Sequence, residues 1–134
     1  MANFHLRIVT PDNLLFDGMA NKLIVRTTEG DVCILARHIN YLAPLGIGEA
    51  KVVLEDGKVR KAAASGGMLT VVDGEVNLIA TTFEWADEID LSRAEKAKAE
   101  AEAFLREHKE QDQAFAIAEA KLKRAIARIQ ATTR

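Results

Sequence analysis

Five charged side chains in this sequence could do chemistry, and their spacing says what kind. Asp90 and Arg93 stand three apart, so a helix would put both on one face. Arg124 and Arg128 stand four apart, which sets two guanidiniums side by side. Such a pair can clamp a phosphate in bidentate fashion; without a ligand it is a solvated basic face whose members repel weakly. Glu84 could pair with Asp90 as a second carboxylate, but the two flank a change of pattern and predict a junction rather than a cleft. The set suits anion recognition. Catalytic patterns are missing: His5, His38 and His108 fall in a strand, a loop and a helix end, and no Cys/His cluster has zinc spacing. No serine sits in a nucleophile-elbow context, and GIGEAK lacks the spacing and hydroxyl of a phosphate loop. A nucleotide would have to be held by side chains, and the chain is read as non-catalytic.

The elements that must position these residues change character near Glu84. Before it the pattern is period two. In NFHLRIVT, Phe4, Leu6 and Ile8 share one face, with His5, Arg7 and Val9 on the other. Pro11-Asp12-Asn13 breaks the run, and LLFDG, KLIVRT, DVCILA and YLAPL follow as short extended pieces. Asp56-Gly57 and Asp73-Gly74 sit between strand-like runs and predict tight primed turns. Ser65-Gly66-Gly67-Met68 predicts a bulge or close backbone approach. The pieces amount to about ten short strands before residue 84, a sandwich or flattened barrel.

From Asp90 to the end there is no Gly and no Pro. Asp90 can cap a first helix across Ile89 to His108, in which Ala94, Ala97, Ala101 and Phe104 recur at three and four. HKEQDQ interrupts, with Asp112 placed to cap a second helix carrying Phe115, Ala118, Leu122, Ala125 and Ile129. This predicts an antiparallel helical hairpin. Residues 84–112 hold ten acids against five bases, and residues 119–134 one acid against five bases. The helices should therefore attract each other when folded together. Alanine buries little apolar area, so the hairpin is marginal alone and must dock on the sandwich, a partner or a ligand.

Totals exclude several classes. The chain has 134 residues, is 49% apolar and carries a net charge of −2, which gives no global attraction to nucleic acid or an anionic membrane. Nothing approaches a membrane-spanning run, and the N-terminus lacks a secretory h-region. Cys33, the only cysteine, lies in the apolar run DVCILA and is expected to be a buried, inert thiol. The lack of any internal disulfide favours a reducing, cytoplasmic setting.

IVTPD, TEGDVCILARH, APL, SGGMLTVV and EWADEIDLSRA, in that order and followed by an Ala/Glu/Lys-rich hairpin, resemble the epsilon subunit of bacterial F-type ATP synthase along essentially the whole chain. The resemblance implies an N-terminal ten-stranded antiparallel β-sandwich, residues 1–86, docked on the gamma subunit and the c-ring. It implies a regulatory C-terminal antiparallel two-helix hairpin, residues 87–134, that folds onto the sandwich or extends into the catalytic head of alpha and beta subunits. The implied protein is a non-catalytic part of the rotating central stalk of an enzyme that makes ATP from ADP with a transmembrane proton or sodium gradient. It would sit peripherally on the cytoplasmic side of the cell membrane, without inserting and without nucleic-acid partners.

The resemblance also assigns residues. The family motif I/L-D-x-x-R-A matches Ile89, Asp90, Arg93 and Ala94; a preceding glutamate matches Glu84, and last-helix arginines match Arg124 and Arg128. These imply a regulatory ATP site, with no cofactor required. Glu100 stands where ATP-binding members carry an arginine, which implies weak binding. Lys121, Lys123, Arg124 and Arg128 would meet an acidic region of the beta subunit when the arm extends and inhibits hydrolysis. Ala36-Arg37, Asn40 and Cys33 depart from the family's usual Pro-Gly, Pro and Gly, in a loop and a strand. Two other readings stay open: a stand-alone nucleotide sensor, which predicts a polar sandwich exterior, and a static adaptor whose hairpin never switches.

Overall fold

The computed structural model describes residues 2–108 and 113–133. Seven strands come first: β1 Phe4–Val9, β2 Leu14–Thr27, β3 Gly30–Ile34, β4 Tyr41–Pro44, β5 Ile47–Leu54, β6 Val59–Val72 and β7 Glu75–Trp85. Two helices follow, α1 Leu91–Glu107 and α2 Gln113–Thr132. The strands run in the order β1-β7-β6-β5-β2-β3, with β4 on β6, and β1 also pairs with β2. The sheet therefore closes on itself as a flattened ring, the two facing layers of a sandwich. The ring has five strands, and an odd ring cannot alternate direction throughout. One pair has to be parallel, and it is β1 with β7; the sandwich is otherwise antiparallel.

Seven strands replace the expected ten because long strands run through the predicted breaks. β2 continues across Gly18, which pairs with Leu6. It changes partner near Asn21, where the register against β5 shifts between Ala20 and Lys22. β6 runs through Ser65-Gly66-Gly67-Met68, so the expected irregularity lies inside one strand. Gly67 has φ +104°, and a Cβ there would stand 1.9 Å from the Ile79 carbonyl oxygen. Only glycine allows β6 to cross β7 that closely.

The two Asp-Gly hairpins differ. Asp73 and Gly74 both take positive φ, 49° and 82°, in a two-residue primed turn. At Asp56-Gly57 only the glycine does, and Gly57 N donates to Leu54 O at 2.9 Å. That is a three-residue loop with a glycine bulge, tightened by Lys58 N donating to Asp56 Oδ1 at 3.0 Å.

Leu6, Ile8, Leu23, Ile34, Leu69 and Leu78 are fully buried inside the ring. Each contributes about 1.5–3 kcal/mol by burial. Cys33 is exposed, which corrects the expected buried thiol. Strand alternation turns it outward opposite Ile24 while its neighbour Ile34 is buried.

Asp90 caps α1, its Oδ1 accepting from Arg93 N at 3.1 Å. Asp112, the expected cap of α2, lies outside the described residues. Buried Ala94 and Ala101 of α1 and Ala118 and Ala125 of α2 let the helices approach closely. α2 packs on β5 and β6. Its Ala127 and Ala131 meet Ala63, with Ile47, Ala86 and Ile89 around them. The marginal hairpin is thus docked on the sandwich. The expected attraction between the oppositely charged helices is not made by direct ion pairs among the described residues.

Candidate functional site

Where α1, α2 and the end of β7 converge lies a cleft of about 790 Å³, within the ordinary range for small-molecule sites. Its α1 wall is a helical stripe that starts at the cap: Asp90, Arg93, Ala97, Glu100 and Phe104. Its α2 wall includes Ile117, Lys121, Arg124 and Arg128. Glu84 from β7, and Glu88 and Ile89 from the turn before α1, complete one end.

The fold thus gathers Glu84, Ile89, Asp90, Arg93, Ala94, Arg124 and Arg128 in one place. Glu84 and Asp90 mark a cleft, which corrects the expected bare junction. Of the four basic residues singled out on the last helix, Lys121, Arg124 and Arg128 line it, and exposed Lys123 does not. Lys123 lies about 200° round the helix from Lys121, so the basic side chains divide between two faces. Phe104 and Ala97 were read from the sequence as apolar helix positions and not as site residues, although their spacing from Asp90 follows the stripe. The apolar end holds Phe104, whose ring stacks on His108 at 3.6 Å.

Arg128 is engaged: its Nε donates to Glu84 Oε1 at 2.6 Å. Among the described residues, Arg93, Lys121 and Arg124 have no carboxylate within ion-pair distance. Glu100 also lines the cleft, and its one ion-pair contact among the described residues is with Lys96, at 4.0 Å. Among the described residues the cleft therefore offers three cations free of ion pairs, set among the carboxylates Glu88, Asp90 and Glu100 and beside an apolar end. Glu100 lies about 10 Å along α1 from Arg93. This arrangement can bind an anion with a flat apolar part. It carries no nucleophile poised beside a base, and the three histidines are not brought together. Among the described residues no cluster of His, Cys, Asp or Glu is placed to hold a metal.

A second surface lies on the sandwich. Leu42 and Pro44 of β4 share a face, Met68 of β6 pairs with Pro44, and Ile79 of β7 pairs with Met68. Leu42 is 66% exposed and Ile79 46%, so the row is an apolar strip open to solvent. Ile39, 78% exposed, precedes β4 in the chain. No described helix is long and apolar enough to cross a membrane.

Residues 3–86 match the family described as ATP synthase, Delta/Epsilon chain, beta-sandwich domain, and residues 87–133 match its long alpha-helix domain. The ATP synthase epsilon chain of Ruminococcus albus is 43% identical over 130 residues, 96% of each chain. That of Caldanaerobacter subterraneus subsp. tengcongensis is 37% identical over 126 residues, 94% of this chain and 91% of the relative. A chain in the cryo-EM structure of the Euglena gracilis mitochondrial ATP synthase, comprising OSCP, F1 and c-ring, superposes with a TM-score of 0.83 at 28% identity, covering 98% of this chain and 81% of that one. A chain of the Tetrahymena thermophila mitochondrial ATP synthase central stalk and c-ring shares the fold, with a TM-score of 0.60 at 16% identity and 96% of each chain covered.

Proposed function

The chain belongs to the epsilon-chain family of F-type ATP synthase, and we propose that its two-helix arm is a nucleotide-responsive regulator of that enzyme. As an epsilon chain it is a non-catalytic subunit of the complex. The apolar strip of Leu42, Pro44, Met68 and Ile79 supports docking of the sandwich on gamma and c subunits of the central stalk. That contact holds it at the membrane surface, where ion flow, of protons or sodium, is coupled to ATP synthesis. A solvent-exposed apolar strip of this kind also argues against a stand-alone sensor.

One observation carries the regulatory part: Arg93 and Arg124, on different helices, line the same cleft, which exists only while the arm is folded. ATP held there by Asp90, Arg93, Arg124 and Arg128 would stabilise the folded arm by RT ln(1 + [L]/Kd), about 2.7 kcal/mol at a hundredfold excess over Kd. At equal concentration and Kd the gain is about 0.4 kcal/mol, too little to move a docked helix pair. Released, the arm frees Lys121, Lys123, Arg124 and Arg128 for an acidic surface on the beta subunit, and ATP hydrolysis is held back. The test is deletion of residues 87–134 in the assembled complex. Faster ATP hydrolysis supports the regulator, and an unchanged rate supports the static adaptor.

A further inference from the structure

The carbonyl end of α2 is satisfied partly from outside the helix. The last turns of a helix expose carbonyls and a partial negative charge, which basic side chains on the same helix commonly cover. α2 has no basic residue in its last turn. Two threonine hydroxyls, of Thr132 and Thr133, donate to the Ile129 carbonyl at 2.8 and 2.9 Å. The Gln130 carbonyl accepts from Thr133 N at 3.1 Å and also from Lys61 Nζ at 3.1 Å, and the Thr133 carbonyl accepts from the same lysine nitrogen. Lys61 is on β6, about seventy residues away in the chain.

Lys61 is itself held. Its third partner is Glu49 Oε2 on β5, at 3.1 Å. An ammonium has three N–H donors, and here each has an acceptor. Cross-strand pairing sets Lys61 directly opposite Lys51, a repulsive arrangement that Glu49 relieves by also approaching Lys51 Nζ at 3.5 Å. The Lys61 and Glu49 side chains are only 23% and 19% exposed, so the pair is screened less than a surface bridge.

We infer that Lys61, oriented by Glu49, is a C-terminal cap supplied by the sandwich to α2, a clamp that sets how firmly the arm docks without any nucleotide. The clamp is satisfied only when α2 lies on β5 and β6. Undocking strips Lys61 of two acceptors, leaves the Thr133 carbonyl to water and leaves the Gln130 carbonyl with the Thr133 amide alone. Lys61 and Glu49 lie outside the cleft, so docking is tuned by two separable devices: the cleft by ligand, the clamp by sequence alone. The consequence for activity rests on the movable-arm reading above; the clamp itself does not.

The test is hydrogen exchange of the full-length chain, nucleotide-free, comparing wild type with Lys61→Gln. Loss of the cap should speed exchange of α2 amides about three- to thirtyfold, while β6 and β7 amides stay protected, and Lys61→Arg should restore part of the protection. Unchanged α2 protection in a folded Lys61→Gln chain overturns the clamp. A second measurement needs no variant. In ¹⁵N-lysine spectra of the wild type, Lys61 should show the slowest-exchanging ammonium protons, and an ordinary solvent-exchanging signal overturns the inference. In the assembled complex, Lys61→Gln should then lower ATP hydrolysis. Loosened α2 with unchanged hydrolysis would leave the clamp standing and remove the inhibitory role of the arm.

Discussion

Arg128 reaches from α2 to Glu84 at the end of β7, its Nε donating to Oε1 at 2.6 Å. The bond ties the last helix to the final strand at one end of the cleft, and it occupies two residues proposed to contact nucleotide. Ligand and latch therefore share the same groups. A phosphate near Arg128 replaces a carboxylate partner it already has, so Arg128 adds less to affinity than Arg93 or Arg124.

The latch should be measurable as a coupling energy. The side chains are 32% and 38% exposed, so solvent screens the pair, and a double-mutant cycle of Glu84→Gln with Arg128→Gln should give about 0.5–1 kcal/mol by chemical denaturation. A coupling near zero would show that α2 docks through its alanines and Lys61 alone.

Asp90→Ala should cost about 1 kcal/mol of α1 stability, because Asp90 Oδ1 is the acceptor for the Arg93 amide. Hydrogen exchange at the Arg93 amide is the direct reading. Faster exchange confined to the first turn of α1 is expected, with the sandwich unaffected.

Gly67→Ala should unfold or grossly destabilise the sandwich, by about 3 kcal/mol or more, since the methyl would meet the Ile79 carbonyl and the residue holds φ +104°. Gly57→Ala, with open space around it, should cost only the strain of positive φ, about 1 kcal/mol. Thermal melts of the two variants should therefore separate clearly.

His5 bridges β1 to two carboxylates, with Nε2 2.5 Å from Asp17 Oδ1 on β2 and Nδ1 2.6 Å from Glu75 Oε2 on β7. These bonds, Asp17 first and Glu75 second, raise its pKa above the usual 6.5. A raised native pKa means that the folded state holds the proton more tightly. The resulting stability is complete below about pH 6.5 and fades as pH rises through the raised value. The urea midpoint should fall between about pH 6 and about pH 9 by more in the wild type than in His5→Gln. Equal falls would show that the bridge does not discriminate between folded and unfolded chains.

Features set by local chemistry were legible in the sequence. Asp90 capped the helix it was expected to cap, and Asp73-Gly74 formed the primed turn, because both depend on neighbours a few residues away. The candidate residues Glu84, Asp90, Arg93, Arg124 and Arg128 were named from spacing and from resemblance, but only the resemblance implied that they meet in one site; spacing alone did not show the cleft. That requires α1 to fold back on α2 beside β7. Strand count failed where LLFDG looked like a short strand ending at Gly18 and where the irregularity at Gly66-Gly67 looked like a break; pairing with Leu6 and with β7 carries the strands through. Cys33 misled because an apolar run hides the alternation that turns it outward. Lys61 left no signal at all, since a lysine on a strand looks alike whether it faces water or a helix end.

The central claim is that the folded arm holds ATP between its helices, and calorimetric titration of the full-length chain tests it most directly. ATP, with and without magnesium, is titrated into wild type, Arg93→Ala and Arg124→Ala. The account predicts saturable heat in the micromolar to low-millimolar range for the wild type and its loss in both variants. Absence of heat through several millimolar ATP, or equal binding in all three chains, would contradict it. Control of the arm would then fall to its protein partners and to the clamp at Lys61.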